Sequence, residues 1–323
     1  MAGVRRTLTT ELGGGLTLPT PVMIAAGCAG TGRELGGLVD LRKVGAVVSR
    51  TITVLPERGA RPPRIAESPG GIVWETGGQN PGIEAFLEEE LPRLARAGIT
   101  IIVSIGGGGL EELVRLSNLL QGRPEVAALE INLSVLDVDP GTSMGGHVDP
   151  TVEVVGAVSR MSLVPVFAKI PLHTGDLVGL ARALVHAGVH GLTIGGPPPA
   201  IAIDAQRLRP ALGAVVGWLS GPAIKPLMMR AVFDVSRSLP DTPIVATGGI
   251  RSGEDALEAM LAGAWAVQLG TATLVDPRAP VLVAQGIARY LKEKGLASPR
   301  DVRAHLRLPR SVLAPVDDDE VHA

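Results

Sequence analysis

Short runs of apolar, mostly β-branched residues alternate along this chain with longer amphipathic segments. Continuous apolar runs are typical of parallel strands buried on both faces, and amphipathic segments are typical of helices that cover such a sheet. Eight strands are predicted, at residues 21–27, 46–53, 100–105, 127–134, 165–170, 191–195, 243–248 and 264–270. Helices are predicted at residues 83–97, 110–120, 150–161, 176–187, 224–239, 253–262 and 281–294. This repeated alternation favours a closed (β/α)8 TIM barrel of the α/β class over an open sheet.

Two connections are too long to be simple linkers, residues 55–82 after the second strand and residues 135–149 after the fourth. Both follow the carboxyl end of a strand, the face on which barrel enzymes place their chemistry, so we expect an active-site wall and a lid. The run Thr-Leu-Thr-Thr-Glu-Leu, three glycines and Leu-Thr-Leu-Pro predicts an N-terminal hairpin that closes the bottom of the barrel. Residues 1–296 are expected to form one domain. The tail, residues 297–323, ends in an acidic run and is expected to be partly disordered.

The composition of the chain excludes several classes of function. The 323 residues include 30 basic and 32 acidic side chains, a balance that offers no electrostatic surface for nucleic acid or an anionic membrane. The N-terminus lacks the apolar segment of a signal peptide, and no run of residues approaches the ~20 apolar residues of a membrane span. The single cysteine, Cys28, indicates a reducing compartment. We therefore expect a cytoplasmic protein whose ligand is a small molecule, with no metal site.

Glycines end the last two predicted strands, at Gly248 and Gly249 and at Gly270, which precedes Thr271. Backbone N–H groups at such glycines approach an anion closely, and the loops after strands seven and eight are the usual phosphate site of a TIM barrel. The fifth and fourth strands carry Lys169 and Asn132 near their carboxyl ends. A lysine in an apolar strand either extends to solvent or points into a polar site, where it would place a cation beside an electron-accepting ring.

Several motifs occur in the order seen in class 1 dihydroorotate dehydrogenases, and the chain most resembles the type B enzymes. They are Ala-Ala-Gly-Cys, Ala-Glu-Ser-Pro-Gly-Gly, Gln-Asn-Pro-Gly, Leu-Glu-Ile-Asn-Leu-Ser, Leu-Ser-Gly-Pro-Ala-Ile-Lys-Pro, Thr-Gly-Gly-Ile and Leu-Gly-Thr-Ala, within residues 18–276. The resemblance implies an FMN-binding oxidoreductase. It implies that Ala26, Gly27 and Thr51 line the flavin ring or ribityl chain and that Asn132 and Lys169 lie close to the isoalloxazine. By the same resemblance, the phosphate would be held by Ser220, Gly221, Gly248, Gly249, Gly270 and Thr271.

The substrate half of the motif set is altered. The family carries its catalytic cysteine in Asn-x-Ser-Cys-Pro-Asn, and this chain has Val135 at that position, which cannot transfer a proton. Asparagines of the family are replaced by Trp74, Asp137 and Gly196, so the expected substrate-binding set is Trp74, Asn132, Asp137 and Gly196. A site built to hydrogen-bond a polar ring rejects it strongly when those partners are missing. Standard dihydroorotate oxidation is therefore disfavoured.

A replacement acid or base has to come from elsewhere. The candidates are His147, Asp137, Arg50, which replaces the lysine usual at the end of strand two, and Ser134. His147 is the first choice, because imidazole titrates near neutrality and glycines precede it. An exposed loop histidine is an equally good reading, and protonation by water would need no side chain.

Three functions remain open. The leading hypothesis is an FMN-dependent hydride transfer between flavin N5 and a C–C bond of a small cyclic or unsaturated substrate. The alternatives are an authentic dihydroorotate dehydrogenase with a relocated base and a non-catalytic flavin-binding subunit. The resemblance also implies an electron-transfer partner subunit, with FAD and an iron–sulfur cluster, and a homodimer.

Overall fold

Eight parallel strands close into a barrel in a computed structural model of the chain, in which each barrel strand is hydrogen-bonded to the barrel strands before and after it in sequence. The structure describes residues 7–134, 148–303 and 305–307. Numbered in chain order, the strands are β1 (Thr10–Leu12), β2 (Leu16–Leu18), β3 (Val22–Ile24), β4 (Val47–Val48), β5 (Ile65–Ser68), β6 (Gly71–Trp74), β7 (Ile101–Ile105), β8 (Val126–Asn132), β9 (Val166–Pro171), β10 (Gly191–Gly196), β11 (Pro199–Ala200), β12 (Ile203–Asp204), β13 (Arg209–Pro210), β14 (Gly217–Ser220), β15 (Ile244–Thr247) and β16 (Ala266–Leu269). The barrel order is β3, β4, β7, β8, β9, β10, β15 and β16. The predicted (β/α)8 fold is confirmed.

Helices surround the barrel. They are α1 (Arg33–Gly36), α2 (Gly82–Ala85), α3 (Leu91–Arg96), α4 (Leu110–Leu120), α5 (Val148–Met161), α6 (Leu177–His186), α7 (Lys225–Ser238), α8 (Gly253–Leu261), α9 (Thr271–Val275), α10 (Ala279–Lys294) and α11 (Pro299–Arg303). The helix predicted over residues 83–97 is present as one continuous helical stretch, in which a π-helical turn, Phe86–Glu90, lies between α2 and α3. None of the helices in the described part of the chain is long and apolar enough to span a bilayer.

The barrel interior changes from apolar at the bottom to polar at the top. Its lower layer is built of aliphatic residues and one aromatic residue, including Met23, Val48, Ile102, Phe167 and Val245. Side chains of the same strands one step nearer the carboxyl end are buried and polar: Ser104, Glu130, Lys169, Thr193, Thr247 and Gln268. Buried polar groups need partners, so this upper layer is where a binding site is expected.

The N-terminal hairpin closes the bottom of the barrel, as predicted. Strands β1 and β2 pair antiparallel, and Leu12, Leu16 and Leu18 pack into the same cluster as the lower barrel layer. The connecting glycines lie tightly against the barrel, since a Cβ on Gly13 would stand 1.8 Å from the carbonyl oxygen of His190. The hairpin is therefore part of the core.

At the top of the barrel, two long connections combine into one structure. The connection after β4 contains the β5–β6 hairpin, and β6 pairs antiparallel with β14 from the connection after β10, giving a four-stranded sheet in the order β11-β14-β6-β5. The first connection was predicted from its length to form part of the site, whereas the second was not predicted. The other predicted long connection, after β8, lies for residues 135–147 outside the described residues, and its role as a lid stays a prediction.

The described part of the predicted tail contains a packed helix. Helix α11 lies against α8, and Val302 is buried in the main core. The guanidinium of Arg303 stacks over the ring of Trp265 at 3.8 Å from its centroid. The acidic run at residues 317–320 lies outside the described residues.

Candidate active site

A cavity of about 580 Å³ opens at the carboxyl ends of the barrel strands. Its size falls within the about 300–1,000 Å³ of small-molecule sites, and it occupies the usual active-site face of the fold. Every residue that the sequence assigned to a cofactor lines it: Ala26, Gly27, Thr51, Asn132, Lys169, Ser220, Gly221, Gly248, Gly249, Gly270 and Thr271. The structure thus brings residues separated by more than half of the chain to one cavity. Their role toward a cofactor stays a prediction.

One part of the cavity wall carries the side chains of Thr51, Asn132 and Lys169, and each of them has a partner within the protein. The amide nitrogen of Asn132 donates to Thr51 Oγ1 at 2.9 Å, and its oxygen accepts from the backbone N–H of Ser134 at 3.0 Å. One amide hydrogen of Asn132 therefore remains for a ligand. Lys169 is only 7% exposed, and its ammonium forms an ion pair with Glu130 at 3.5 Å.

Glu130 is a residue of this region that the sequence analysis missed. It lies in β8, is 1% exposed, and its Oε2 accepts hydrogen bonds from Thr193 at 2.9 Å and Gln268 at 2.7 Å. The available signal was a charged residue in the middle of an otherwise apolar strand, Ala-Leu-Glu-Ile. Buried carboxylates are rare unless they are paired.

Another part of the cavity wall is a chain of hydroxyl and indole groups. Trp74 Nε1 donates to Ser220 Oγ at 3.0 Å, and Thr271 Oγ1 donates to the same oxygen at 2.8 Å. A hydroxyl oxygen has two lone pairs and one hydrogen. Because both lone pairs of Ser220 are engaged, its hydrogen is the group left to donate to a ligand.

Two glycines bring backbone close to this part of the cavity in conformations that favour glycine. Gly221 has φ 104°, and a Cβ there would stand 2.7 Å from the Cα of Gly71. Gly249 has φ 74°, and a Cβ would stand 2.7 Å from the Cβ of Lys225. Side chains at either position would push these backbones apart and away from the cavity.

The loop after β15 is fastened by Asp255. This carboxylate accepts hydrogen bonds from the Lys225 ammonium at 2.6 Å and from the backbone N–H groups of Arg251 and Ser252 at 3.1 and 2.9 Å. Burial works against its ionisation, but the hydrogen bonds, led by that from Lys225, outweigh burial and hold the pKa of Asp255 below its usual 3.8. Ser252 and Asp255 also form a capping box at the start of α8. The glycine loop is thus held by charge and by hydrogen bonds.

Arg50 lines the cavity at the end of β4, as the sequence placed it. Its Nε lies 3.6 Å from Glu90 Oε2 and has no hydrogen-bond partner. Burial raises the pKa of the Glu90 carboxyl, and the Arg50 guanidinium works in the opposite direction. Glu90 ends the π-helical turn, a feature frequent at functional sites.

The wall around Trp74 is mostly apolar and includes Ile65, Ile72 and Pro197. Gly196, predicted to bind substrate, is buried behind Ser134 rather than on the cavity wall: a Cβ on Gly196 would stand 2.0 Å from Ser134 Oγ. Ser134 itself lines the cavity and is 1% exposed, and its Oγ has no hydrogen-bond partner. This oxygen lies against the backbone of Gly196.

Cys28 also lines the cavity. Burial raises the pKa of its thiol from 9.0 to about 11, although the positive charge of Lys169 partly opposes this. A thiol with so little thiolate near neutrality is a packing residue rather than a nucleophile.

Three residues of the predicted substrate side, Val135, Asp137 and His147, lie outside the described residues. His173, just after β9, has its ring centroid 5.9 Å from that of Trp218, and burial lowers its pKa. Among the described residues there is no cluster of His, Cys, Asp or Glu that could hold a metal ion.

Comparison with known proteins identifies the family. The sequence profile described as "Dihydroorotate dehydrogenase" matches residues 7–291. The "Dihydroorotate dehydrogenase B (NAD(+)), catalytic subunit" of Desulforudis audaxviator (strain MP104C) is 43% identical over 283 residues, which cover 87% of this chain and 92% of the relative. The protein of the same description from Geotalea daltonii is 41% identical over 303 residues, covering 93% and 98%. The resemblance stated from the motifs is confirmed, and the chain belongs to the dihydroorotate dehydrogenase family of flavin-dependent oxidoreductases that act on CH–CH groups.

Proposed function

We propose that this chain holds FMN in the cavity and acts on a carbon–carbon bond of a small cyclic or unsaturated substrate other than dihydroorotate. The flavin would supply the hydride donor or acceptor, N5 of its ring. The observation that carries the substrate part is the hydrogen bond from Trp74 to Ser220. It engages the only polar group of the indole, so an aromatic face stands where the family has an amide.

The phosphate end of the cavity fits an anionic group. The free hydrogen of Ser220, the glycine backbone at Gly221 and Gly249, and the start of α9 at Thr271 converge there. Hydrogen bonds from such donors to phosphate are charge-assisted and therefore strong. These groups would bind and orient the cofactor.

The ring end of the cavity fits a group that gains negative charge on reduction. The buried ammonium of Lys169 would stabilise that charge, and the free amide hydrogen of Asn132 would donate to ring or substrate. Both side chains are held by neighbours, so they would need little rearrangement when the ligand binds.

The substrate side favours a ring with an apolar face. Ile65, Ile72 and Trp74 offer no free hydrogen-bonding side-chain group, whereas Arg50 offers its guanidinium. A substrate with one polar or anionic edge and an otherwise apolar body satisfies this wall. The candidates to hold or move the proton are His147 first, then Asp137 and Ser134.

Dihydroorotate oxidation is the second candidate, and the descriptions of the relatives favour it. It requires the proton at the substrate carbon to be taken by a group other than Val135. No observation favours the third alternative, a non-catalytic subunit.

The purified protein should be yellow, and FMN should bind more tightly than riboflavin, because riboflavin lacks the phosphate. Ligand present at 100 times its Kd stabilises the fold by about 2.7 kcal/mol, so thermal unfolding measured with FMN and with riboflavin reads out the difference. A protein that is neither coloured nor stabilised by FMN contradicts the proposal.

Steady-state assays then separate the two substrates. With an artificial electron acceptor, turnover of dihydroorotate at about 1–10³ per second would establish the second candidate. Under the proposal, the protein turns over dihydroorotate far more slowly than it turns over at least one dihydro-heterocycle with the same acceptor, or at least one enone with an artificial electron donor that reduces the flavin. Val135→Cys, which restores the family's base, is a control: it should not by itself create dihydroorotate turnover while Trp74 remains.

An electron-transfer partner subunit is also part of the proposal, because the relatives are described as catalytic subunits. The rim of the cavity carries exposed apolar side chains that a partner could cover, Leu274 at 56% and Val275 at 81%. Copurification with a tagged chain, followed by flavin and iron analysis of the complex, tests it.

A further inference from the structure

A buried carboxylate, Glu130, lies inside the barrel and does not line the cavity. Its side chain shares the inward face of β8 with Ala128 and Asn132, since alternate residues of a strand point to one side. Its Oε2 is held by Thr193 of β10 and Gln268 of β16, at 2.9 and 2.7 Å. Side chains of two other strands therefore fix this carboxylate of β8 on the inward face of the barrel.

The other oxygen of Glu130 faces Lys169. Oε1 lies 3.5 Å from Lys169 Nζ and makes no hydrogen bond within the described structure. Both groups are almost completely buried, at 1% and 7% exposure, and Lys169 lines the cavity. Solvent screens such a pair weakly, so each charge strongly affects the field that the other produces in the cavity.

We propose that Glu130 is a positioning residue that holds the Lys169 ammonium at the cavity wall and offsets its charge. It thereby sets how strongly the site prefers reduced over oxidised flavin. This inference rests on the proposed FMN site. A lone buried ammonium would favour the negative charge of the reduced ring strongly, and a carboxylate 3.5 Å away cancels part of that effect. The carboxylate also compensates the cost of burying the ammonium.

The midpoint potential of bound FMN tests the inference directly. Glu130→Gln keeps the shape of the side chain and removes its charge, so the variant should bind reduced flavin, relative to oxidised flavin, about tenfold more strongly than the wild type does. For a two-electron couple this corresponds to a rise of about 30 mV, measurable by equilibration with a reference dye. Lys169→Met should lower the potential, and the double variant should return toward the wild-type value.

Glu111→Gln is the matched control. Glu111 is exposed in the first turn of α4 and does not line the cavity, so the same loss of charge there should leave the potential unchanged. An unchanged or lowered potential in Glu130→Gln overturns the inference. A merely structural Glu130 would change stability and leave the potential where it was.

Two further measurements keep the outcome decisive. If Glu130→Gln does not fold, Glu130→Asp draws the carboxylate back by one methylene and should raise the potential in the same direction by less, and no rise in that variant overturns the inference. If the wild-type protein binds no FMN, the proposed function itself is refuted and the inference falls with it. Equal potentials in flavin-loaded wild type and variant refute the inference alone.

Discussion

At the scale of single residues, the hydrogen bonds of Ser220 determine what this end of the cavity can bind. Its oxygen accepts from both Trp74 and Thr271, so a ligand here meets a donor and no free acceptor. Phosphate oxygens accept hydrogen bonds, whereas a ligand group that donates would find no partner on this hydroxyl. The chemistry of the ligand is thus selected by two neighbours of Ser220 as much as by Ser220 itself.

Replacing Ser220 by alanine should weaken FMN binding by about 10- to 100-fold, because a charge-assisted hydrogen bond contributes about 1.5–3 kcal/mol. Fluorescence titration of FMN measures the change. Trp74→Phe keeps an aromatic side chain, although a smaller one, and removes the neutral hydrogen bond to Ser220, so it should weaken FMN binding by only about threefold. An affinity of Ser220→Ala within twofold of wild type would show that this hydroxyl does not contact the phosphate.

At the scale of elements, the capping box of α8 also holds the glycine loop before it. Asp255→Asn should lower the free energy of unfolding at pH 7 by about 1–3 kcal/mol, since it removes a charged partner of Lys225 and of two backbone N–H groups. The pKa of Asp255 is depressed in the folded state, so its stabilisation is fully present above its unfolded value and is lost as pH falls through the lower folded value.

Urea unfolding of wild type and Asp255→Asn between pH 7 and pH 2.5 measures this. The unfolding free energies of the two proteins should converge below pH 3.8, because the wild type loses the stabilisation from its ionised Asp255. Asp241→Asn, at an exposed position, is the control and should track the wild type throughout. If the difference in unfolding free energy between the two proteins stayed constant across this pH range, the effect of Asp255 would not come from its charge.

Pattern alone was sufficient for the barrel and insufficient for the sheet above it. The barrel strands were predicted because each is a continuous apolar run, and they were predicted one to several residues too long at most ends because ladder pairing stops before the chain turns. The connection after β10 was missed because its strands, such as Pro199–Ala200, are two to four residues long and rich in proline and glycine. Strands this short show no periodicity in the sequence, and the pairing of β14 with β6 is decided by tertiary contacts.

The candidate site divides in the same way. Glycines at strand ends and Lys169 were readable because those residue types are unusual in strands. The bond from Trp74 to Ser220 joins residues 146 apart and has no local signal. The burial of Gly196 behind Ser134 is likewise a matter of packing between neighbouring strands.

At the scale of the whole molecule, stability and chemistry occupy opposite ends of one barrel. Leu18 is completely buried in the floor, whereas Leu38 is 65% exposed on the surface. Leu18→Ala should lower the free energy of unfolding by about 2–5 kcal/mol, the range for large-to-small substitutions in cores, and Leu38→Ala should change it little. Both variants should bind FMN with wild-type affinity at temperatures where they are folded.

Denaturant unfolding and FMN titration of the two variants check this separation. Weakened FMN binding by folded Leu18→Ala would show that the floor also positions the cavity. Equal stability of the two variants would show that the hairpin contributes nothing as a floor.

The four-stranded sheet at the top of the barrel constrains how such a protein can change over evolution. In many barrels the loops after the strands are separate, and one can be exchanged without the others. Here the loops after β4 and β10 are hydrogen-bonded to each other through β6 and β14, with Trp74 opposite Trp218. Replacing either loop would therefore leave the other without its hydrogen-bonding partner. A new substrate specificity can therefore arise by single side-chain substitutions in the cavity, while the two paired loops are kept together.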